Sequence, residues 1–147
     1  MTAESERKVL SGETAGQSSS PPPYYELIGM QLQELGEGTS SFVMPADSRL
    51  FNVGGVVHGG ALASIADASI GAALYTLIDP NKEKPVTVEM KINYMAPVRS
   101  GEIISEGRIV QKGKSVAVGE SSIYDSGGKL LAKAIATYVV RGRGGED

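Results

Sequence analysis

The 147-residue sequence has no cysteine and one histidine, His58. The first absence excludes a disulfide framework, a thiolate nucleophile and every Cys-ligated zinc or iron–sulfur site. The second excludes the paired imidazoles of an H-E-x-x-H metal site, so a metal here would rest mainly on carboxylates. Basic charge is also scarce. Fourteen Lys and Arg stand against 17 Asp and Glu, a net charge of −3. Such a chain lacks the electrostatic footprint of a protein that grips nucleic acid or an anionic membrane, although a local basic patch for phosphates remains compatible. Glycine, by contrast, is in surplus: 19 residues, where about 7% is usual. Much of it must serve the backbone.

Met1 to Pro23 is rich in Ser, Glu, Thr and Gly and ends in Ser18-Ser19-Ser20-Pro21-Pro22-Pro23. Its few apolar side chains cannot offset the entropy of ordering, so it reads as a disordered tail with a stiff proline joint. It lacks the apolar centre of a secretory signal, and Glu4, Glu6 and Glu13 do not suit a transit peptide. A cytoplasmic location is therefore expected. Gly142 to Asp147 reads as a frayed end. That leaves one folded unit, about Tyr24 to Arg141, of ordinary single-domain size.

Within this unit the hydrophobic period changes in order. Tyr24 to Gly29 suits a short helix, followed by strands at Met30–Leu35 and Thr39–Pro45 with Gly36 and Gly38 between them. From Gly59 to Ile78, Leu62, Ile65, Ala66, Ile70, Ala73, Leu74 and Leu77 recur at helical spacing, and Asp79-Pro80 ends the run. The other face of that helix is Ala, Ser and Gly rather than Lys and Glu, with Asp67 its only charge, which predicts a buried helix around which a sheet wraps closely. A membrane span is disfavoured by the small residues and the central Asp67. The period then becomes two: Val86, Val88, Met90, Ile92 and Tyr94 are expected on one face of a strand, Thr87, Glu89, Lys91 and Asn93 on the other. Three more strands are expected at Glu102–Gln111, Lys114–Tyr124 and Lys129–Val140, with Ala132, Ala134 and Ala136 offering a shallow groove to the helix. Two strands, one long helix and four strands predict an α+β fold with an antiparallel sheet and the helix on one face.

Chemistry gathers in Asn52-Val53-Gly54-Gly55-Val56-Val57-His58-Gly59-Gly60, just before the long helix. Unobstructed N–H groups at a helix start can bind an anion or a developing oxyanion. The same residues also suit a plain glycine-rich turn with a capping Asn and a satisfied His. Asp67 has two readings as well: a hydrogen-bonded structural carboxylate, or a catalytic one. Eight residues of helix separate it from Gly59, about 12 Å of rise and about 80° of rotation. One chain does not easily place both around one reacting atom, whereas a symmetric dimer with antiparallel neighbouring helices does.

Asn52-x-x-Gly55-x-x-His58-Gly59-Gly60, Asp67 seven residues beyond Gly60, and the strand Val86-Thr87-Val88-Glu89-Met90-Lys91-Ile92-Asn93-Tyr94-Met95-Ala96-Pro97 together resemble the hotdog-fold acyl-CoA thioesterases. The likeness covers roughly Tyr24 to Val140 and is strongest to the PaaI-like branch, named for the phenylacetic acid degradation enzyme. It implies an antiparallel sheet wrapped around one central helix, and hydrolysis of an aryl- or medium-chain acyl-CoA to the free acid and CoA. It also implies a homodimer assembling into a homotetramer with sites shared between chains. By the same likeness, Gly59 donates its N–H to the thioester carbonyl oxygen and Asn52 and His58 orient or polarise the thioester. Asp67 acts as nucleophile or general base from the opposite chain, and Thr87 stands where relatives often hold the attacking water with Ser. Related hydroxybenzoyl-CoA and naphthoyl-CoA enzymes generally carry Glu at the Asp67 position, which turns the likeness towards PaaI.

A thioester needs a polarised carbonyl and a placed carboxylate or water, and neither a metal nor an organic cofactor is expected. Gly60, Arg99, Lys112 and Lys114 are the expected substrate and CoA contacts, the three cations otherwise being solvated surface charge. Gly113-Lys114-Ser115 resembles the end of a P-loop, but Arg108 occupies the place of its first glycine. Ser64 lies within the helix rather than on a strand-to-helix elbow, which disfavours a serine hydrolase. A hotdog module that binds acyl-CoA without cleaving it is the alternative function.

Overall fold

In the computed structural model, which describes residues 20–144, the chain folds as six antiparallel strands and one long helix. Most of the expected tail and the last three residues of the expected C-terminal end lie outside the described residues. The first helix, α1, is Pro23–Ile28, with Pro23 in the first turn, where a missing N–H costs nothing, and Gly29 closing it at φ 78°. Strands β1 (Gln31–Gly36) and β2 (Thr39–Pro45) form a hairpin. A 3-10 turn, Ser48–Leu50, then leads to the long helix α2, Gly59–Tyr75. Strands β3 (Glu83–Tyr94), β4 (Glu102–Lys112), β5 (Val116–Asp125) and β6 (Leu130–Gly142) complete the sheet in the order β1-β2-β4-β5-β6-β3.

Several boundaries differ from the sequence expectation. Helix α2 stops at Tyr75 rather than Ile78, because the Thr76 hydroxyl donates to the Ala73 carbonyl at 2.7 Å and accepts the Gly38 N–H at 2.7 Å. Strand β3 begins before Pro85, and β6 runs on to Gly142 because Glu83 pairs with Gly142 across the ladder. Pro23 belongs to α1 rather than to the tail.

The core lies between α2 and the sheet. Leu62, Ile65, Ile70 and Leu74 are buried, each contributing about 2 kcal/mol by removal from water. The opposing surface is small: Ala132, Ala134 and Ala136 are buried as expected, and Gly107 and Gly119 stand in mid-strand under the helix. A Cβ at Gly119 would come within 2.4 Å of Ile70 Cγ2. The Ser69, Ser105 and Ser121 hydroxyls form a buried triangle, with oxygens 2.8 to 3.2 Å apart, that ties α2 to β4 and β5 without leaving a polar atom unsatisfied.

The helix is not wrapped all round. Ala63, Ser64, Asp67, Ala68, Gly71 and Tyr75 form a partly exposed strip along one side of it. The small flank read as a sheet-packing surface is therefore partly open in the single chain, and Asp67 lies on it.

Candidate active site

Asp67 projects from the middle of α2 towards the paired strands β3 and β6. Its Oδ1 accepts two hydrogen bonds, from the Thr87 hydroxyl at 2.9 Å and from the Tyr138 hydroxyl at 2.5 Å. The Tyr138 hydroxyl also lies 3.0 Å from the Asp67 main-chain oxygen. Among the described residues no group hydrogen-bonds to Oδ2.

Strict alternation along β3 would turn Thr87 away from the helix. The ladder instead pairs Thr87 with Tyr138 and Glu89 with Thr137, so Val88 is an extra residue in the strand. This β-bulge reverses the faces beyond it. Met90 and Ile92 stay on the helix side, half-buried, while Val86 and Val88 are exposed at 39% and 55% and Thr87 turns in to Asp67. The expectation that Val86 and Val88 share a face with Met90 is corrected by this one inserted residue.

A cavity of about 170 Å³ opens beside the carboxylate. Thr87 and the rings of Tyr25, Tyr75, Tyr138 and Pro85 wall it, and Ala68, Gly71 and Ala72 form its small floor on α2. Burial, then the nearby Asp67 charge, pushes the Tyr25 phenol up to about 12. The same two causes raise Tyr138 further, and burial raises Tyr75. These hydroxyls are protonated donors at neutral pH. A larger concavity, about 590 Å³, lies on the outer sheet face. There the Arg108 guanidinium lies 2.6 Å from the Glu120 carboxylate, with Lys133 at 3.9 Å.

The second expected group gathers at the start of α2. His58 caps the helix, its Nδ1 accepting the Gly60 N–H at 2.8 Å. That bond commits the Gly60 N–H and leaves Nε2 to carry the proton of the neutral ring. Asn52 Oδ1 accepts from the N–H of Gly54 at 2.8 Å and of Val56 at 3.4 Å, so its oxygen shapes the loop and its amide N–H₂ remains as donor. The Gly59 N–H has no acceptor among the described residues. Its carbonyl accepts from the Tyr94 hydroxyl at 2.9 Å, and a Cβ at Gly59 would stand 2.9 Å from Tyr94 Cζ. Only glycine fits there without moving the ring.

Asp67 and Thr87 are thus together, and Asn52, His58, Gly59 and Gly60 are together, but the two groups are about 12 Å apart along one helix. The cations also separate. Arg99 follows β3, near the loop that enters α2, since Val57 donates to the Val98 carbonyl. Lys112 and Lys114 flank the turn at the far end of β4, roughly 30 Å away along an extended strand. All three are exposed, and within one chain they form no single patch. Nothing in the local sequence marks Tyr138 or Tyr94 as a site residue. The available signal was that Tyr138 continues the inward run of Ala132, Ala134 and Ala136.

A sequence model of the thioesterase superfamily matches residues 54–132, from the glycine loop into β6. "Putative esterase SSO1253" of Saccharolobus solfataricus is 35% identical over 116 residues, 79% of this chain and 76% of that one. Among solved structures, a thioesterase of Haemophilus influenzae superposes with a TM-score of 0.82 at 22% identity, covering 99% of this chain and 94% of its own. A mutant of the phenylacetic acid degradation protein PaaI from Thermus thermophilus superposes with a TM-score of 0.73 at 20% identity, covering 80% and 98%. The last two likenesses bear on the fold, and the first two on ancestry. The chain belongs to the thioesterase superfamily, as a hydrolase with the hotdog fold.

Proposed function

We propose that this protein hydrolyses an aryl- or medium-chain acyl-CoA to the free acid and CoA, in the cytoplasm, at sites built from two copies of the chain. The observation that carries this reading is Asp67: one carboxylate oxygen is held by Thr87, and the residue borders a cavity walled by tyrosine rings. Those rings suit an aryl group, which gains from edge and face contacts beyond simple burial. Asp67 then either attacks the thioester carbonyl carbon or takes a proton from a water held at Thr87 that attacks it. In both cases the C–S bond breaks and the thiolate of CoA leaves and takes up a proton; in the first, water then cleaves the anhydride formed between Asp67 and the acyl group, and in the second the attacking water itself supplies the oxygen of the acid.

Developing negative charge on the carbonyl oxygen needs a donor, and the Gly59 N–H at a helix start is suited to it. His58 Nε2 and the Asn52 amide supply further donors. The distance from Gly59 to Asp67 within one helix calls for a second copy. Among the described residues strand β3, twelve residues long, has one free edge, with Val86 and Val88 exposed on it, the kind of edge that proteins cover. Antiparallel pairing of two such edges lays the α2 helices side by side and brings the helix start of one copy towards Asp67 of the other. It also reunites the cations. Arg99 follows the Tyr94 end of β3, while Val140, paired with Pro85, donates to the Ser115 carbonyl and so holds Lys114 near the other end. A two-fold axis places Arg99 of one copy beside Lys112 and Lys114 of the other, a footing for CoA phosphates. Two such dimers make the tetramer that the family likeness implies.

The test is thiol release from phenylacetyl-, benzoyl-, hydroxybenzoyl- and medium-chain CoA esters, comparing wild type with Asp67→Asn. Wild-type turnover and a loss of about 10³-fold in the variant are expected. Binding of the esters without turnover would make the chain an acyl-CoA sensor instead. The shared site is tested by mixing Asp67→Asn chains with Asn52→Ala chains: verified heterodimers regain activity, and an inactive mixture disproves a two-chain site.

A further inference from the structure

We infer that Tyr138 is a positioning residue for the reaction: paired with Thr87, it fixes Oδ1 of Asp67 and so selects Oδ2 as the oxygen that acts on the thioester. This rests on the proposed thioesterase reading and deepens it. Tyr138 is only 3% exposed and, with the Thr87 hydroxyl beside it, directs its own hydroxyl at Asp67, donating to Oδ1 and lying 3.0 Å from the main-chain oxygen. Packing alone would be met by a phenyl ring, so the hydroxyl is directed at that one residue.

The arrangement follows from the ladder. Thr87 and Tyr138 are direct partners across β3 and β6; regular alternation along β6 turns Tyr138 towards α2, and the Val88 bulge turns Thr87 to the same side. Two hydroxyls from neighbouring strands therefore converge on one oxygen of a carboxylate carried by a third element.

An oxygen that accepts two hydrogen bonds has its lone pairs engaged, whereas Oδ2 keeps its own. Turning the carboxylate to exchange the two oxygens breaks both bonds at once. The phenol is also held protonated by burial and by the Asp67 charge, so it donates throughout the working pH range. The contribution of the hydroxyl, as distinct from the ring that helps wall the cavity, is orientation: the reacting oxygen is held in place before substrate arrives, which lowers the barrier.

Tyr138→Phe keeps the ring and removes the hydroxyl. Expected is a fall in kcat of about 10- to 30-fold with KM within twofold of wild type. A second variant, Tyr138→Met, retains a buried apolar side chain of similar reach and must lose kcat to at least the same extent. In the double variant Thr87→Val/Tyr138→Phe, the loss should be smaller than the product of the single losses, because the carboxylate is already free once either bond is gone. Wild-type turnover with an unchanged kcat in Tyr138→Phe, or multiplicative losses in the double variant, overturns the positioning role alone. A wild type with no turnover on any ester overturns the thioesterase reading and this assignment with it.

Discussion

Gly107 lies against the Ser69 carbonyl so closely that a Cβ there would stand 2.4 Å from its carbon and oxygen and 2.8 Å from the Ile70 nitrogen. Backbone meets backbone at this crossing, and no side-chain rotation relieves it. Part of the glycine surplus is thereby explained: Gly107 and Gly119 lower the middle of the sheet so that α2, and Asp67 on it, can sit close.

Substituting either glycine should therefore push the helix off the sheet. Gly107→Ala is expected to cost about 3 kcal/mol and Gly119→Ala about 2 kcal/mol, the smaller figure because its closest clash, at 2.4 Å, is with a side-chain methyl of Ile70 and the nearest backbone atom, the Arg108 carbonyl oxygen, stands at 3.1 Å. Urea melts of the two variants check the values and their order. Equal and negligible losses would show that the helix does not rest on these two positions.

Thr87 holds Asp67 through its hydroxyl, and its methyl group is incidental to that bond. Thr87→Val should lower kcat about tenfold, whereas Thr87→Ser should retain at least a third of it. Steady-state assays on the best ester of the panel give both numbers. A valine variant as active as wild type would remove Thr87 from the reaction.

Alkaline pH should loosen the fold before it loosens a protein whose tyrosines are all exposed. The Tyr25 phenol is raised from 10.0 to about 12 by burial first and the Asp67 charge second. Its stabilising contribution is intact below pH 10 and is lost as pH rises through about 12, since the unfolded chain releases the proton first. The expected decline is about 1.4 kcal/mol per pH unit for each such phenol. Urea melts between pH 9 and 12 measure the slope, and Tyr25→Phe should flatten it.

The free edge of β3 makes a prediction about assembly. A carboxylate at Val88, which is 55% exposed on that edge, would face its own copy across a two-fold axis. Val88→Asp should shift the sedimenting species from dimer, or a dimer of dimers, towards monomer and lower thiol release in parallel. A wild type that is monomeric at assay concentrations and fully active would refute the shared site.

Much of this protein is determined by its sequence alone. Periodicities of 3.6 and 2 specify a long helix and six strands in the observed order, because the burial of each element leaves its trace within a short window of residues. The helix-facing residues of α2 and the alanines of β6 are legible for the same reason, and so is Asp67, an isolated charge in an apolar helix. The glycine and histidine pattern before the helix carries the family likeness.

Tertiary structure alone decided what surrounds Asp67. Val88 is an ordinary strand residue in sequence, and its status as a bulge exists only in the register of β3 against β6. That register turns Thr87 inward and Val86 outward, the reverse of what alternation implies. Tyr138 meets Asp67 across 71 positions of sequence because β6 lies between β5 and β3. Gly107 and Gly119 read as weak strand residues until a helix is laid across them. Each of these is a relation between distant segments, and local periodicity carries only the burial of a residue, never the identity of the neighbour that buries it.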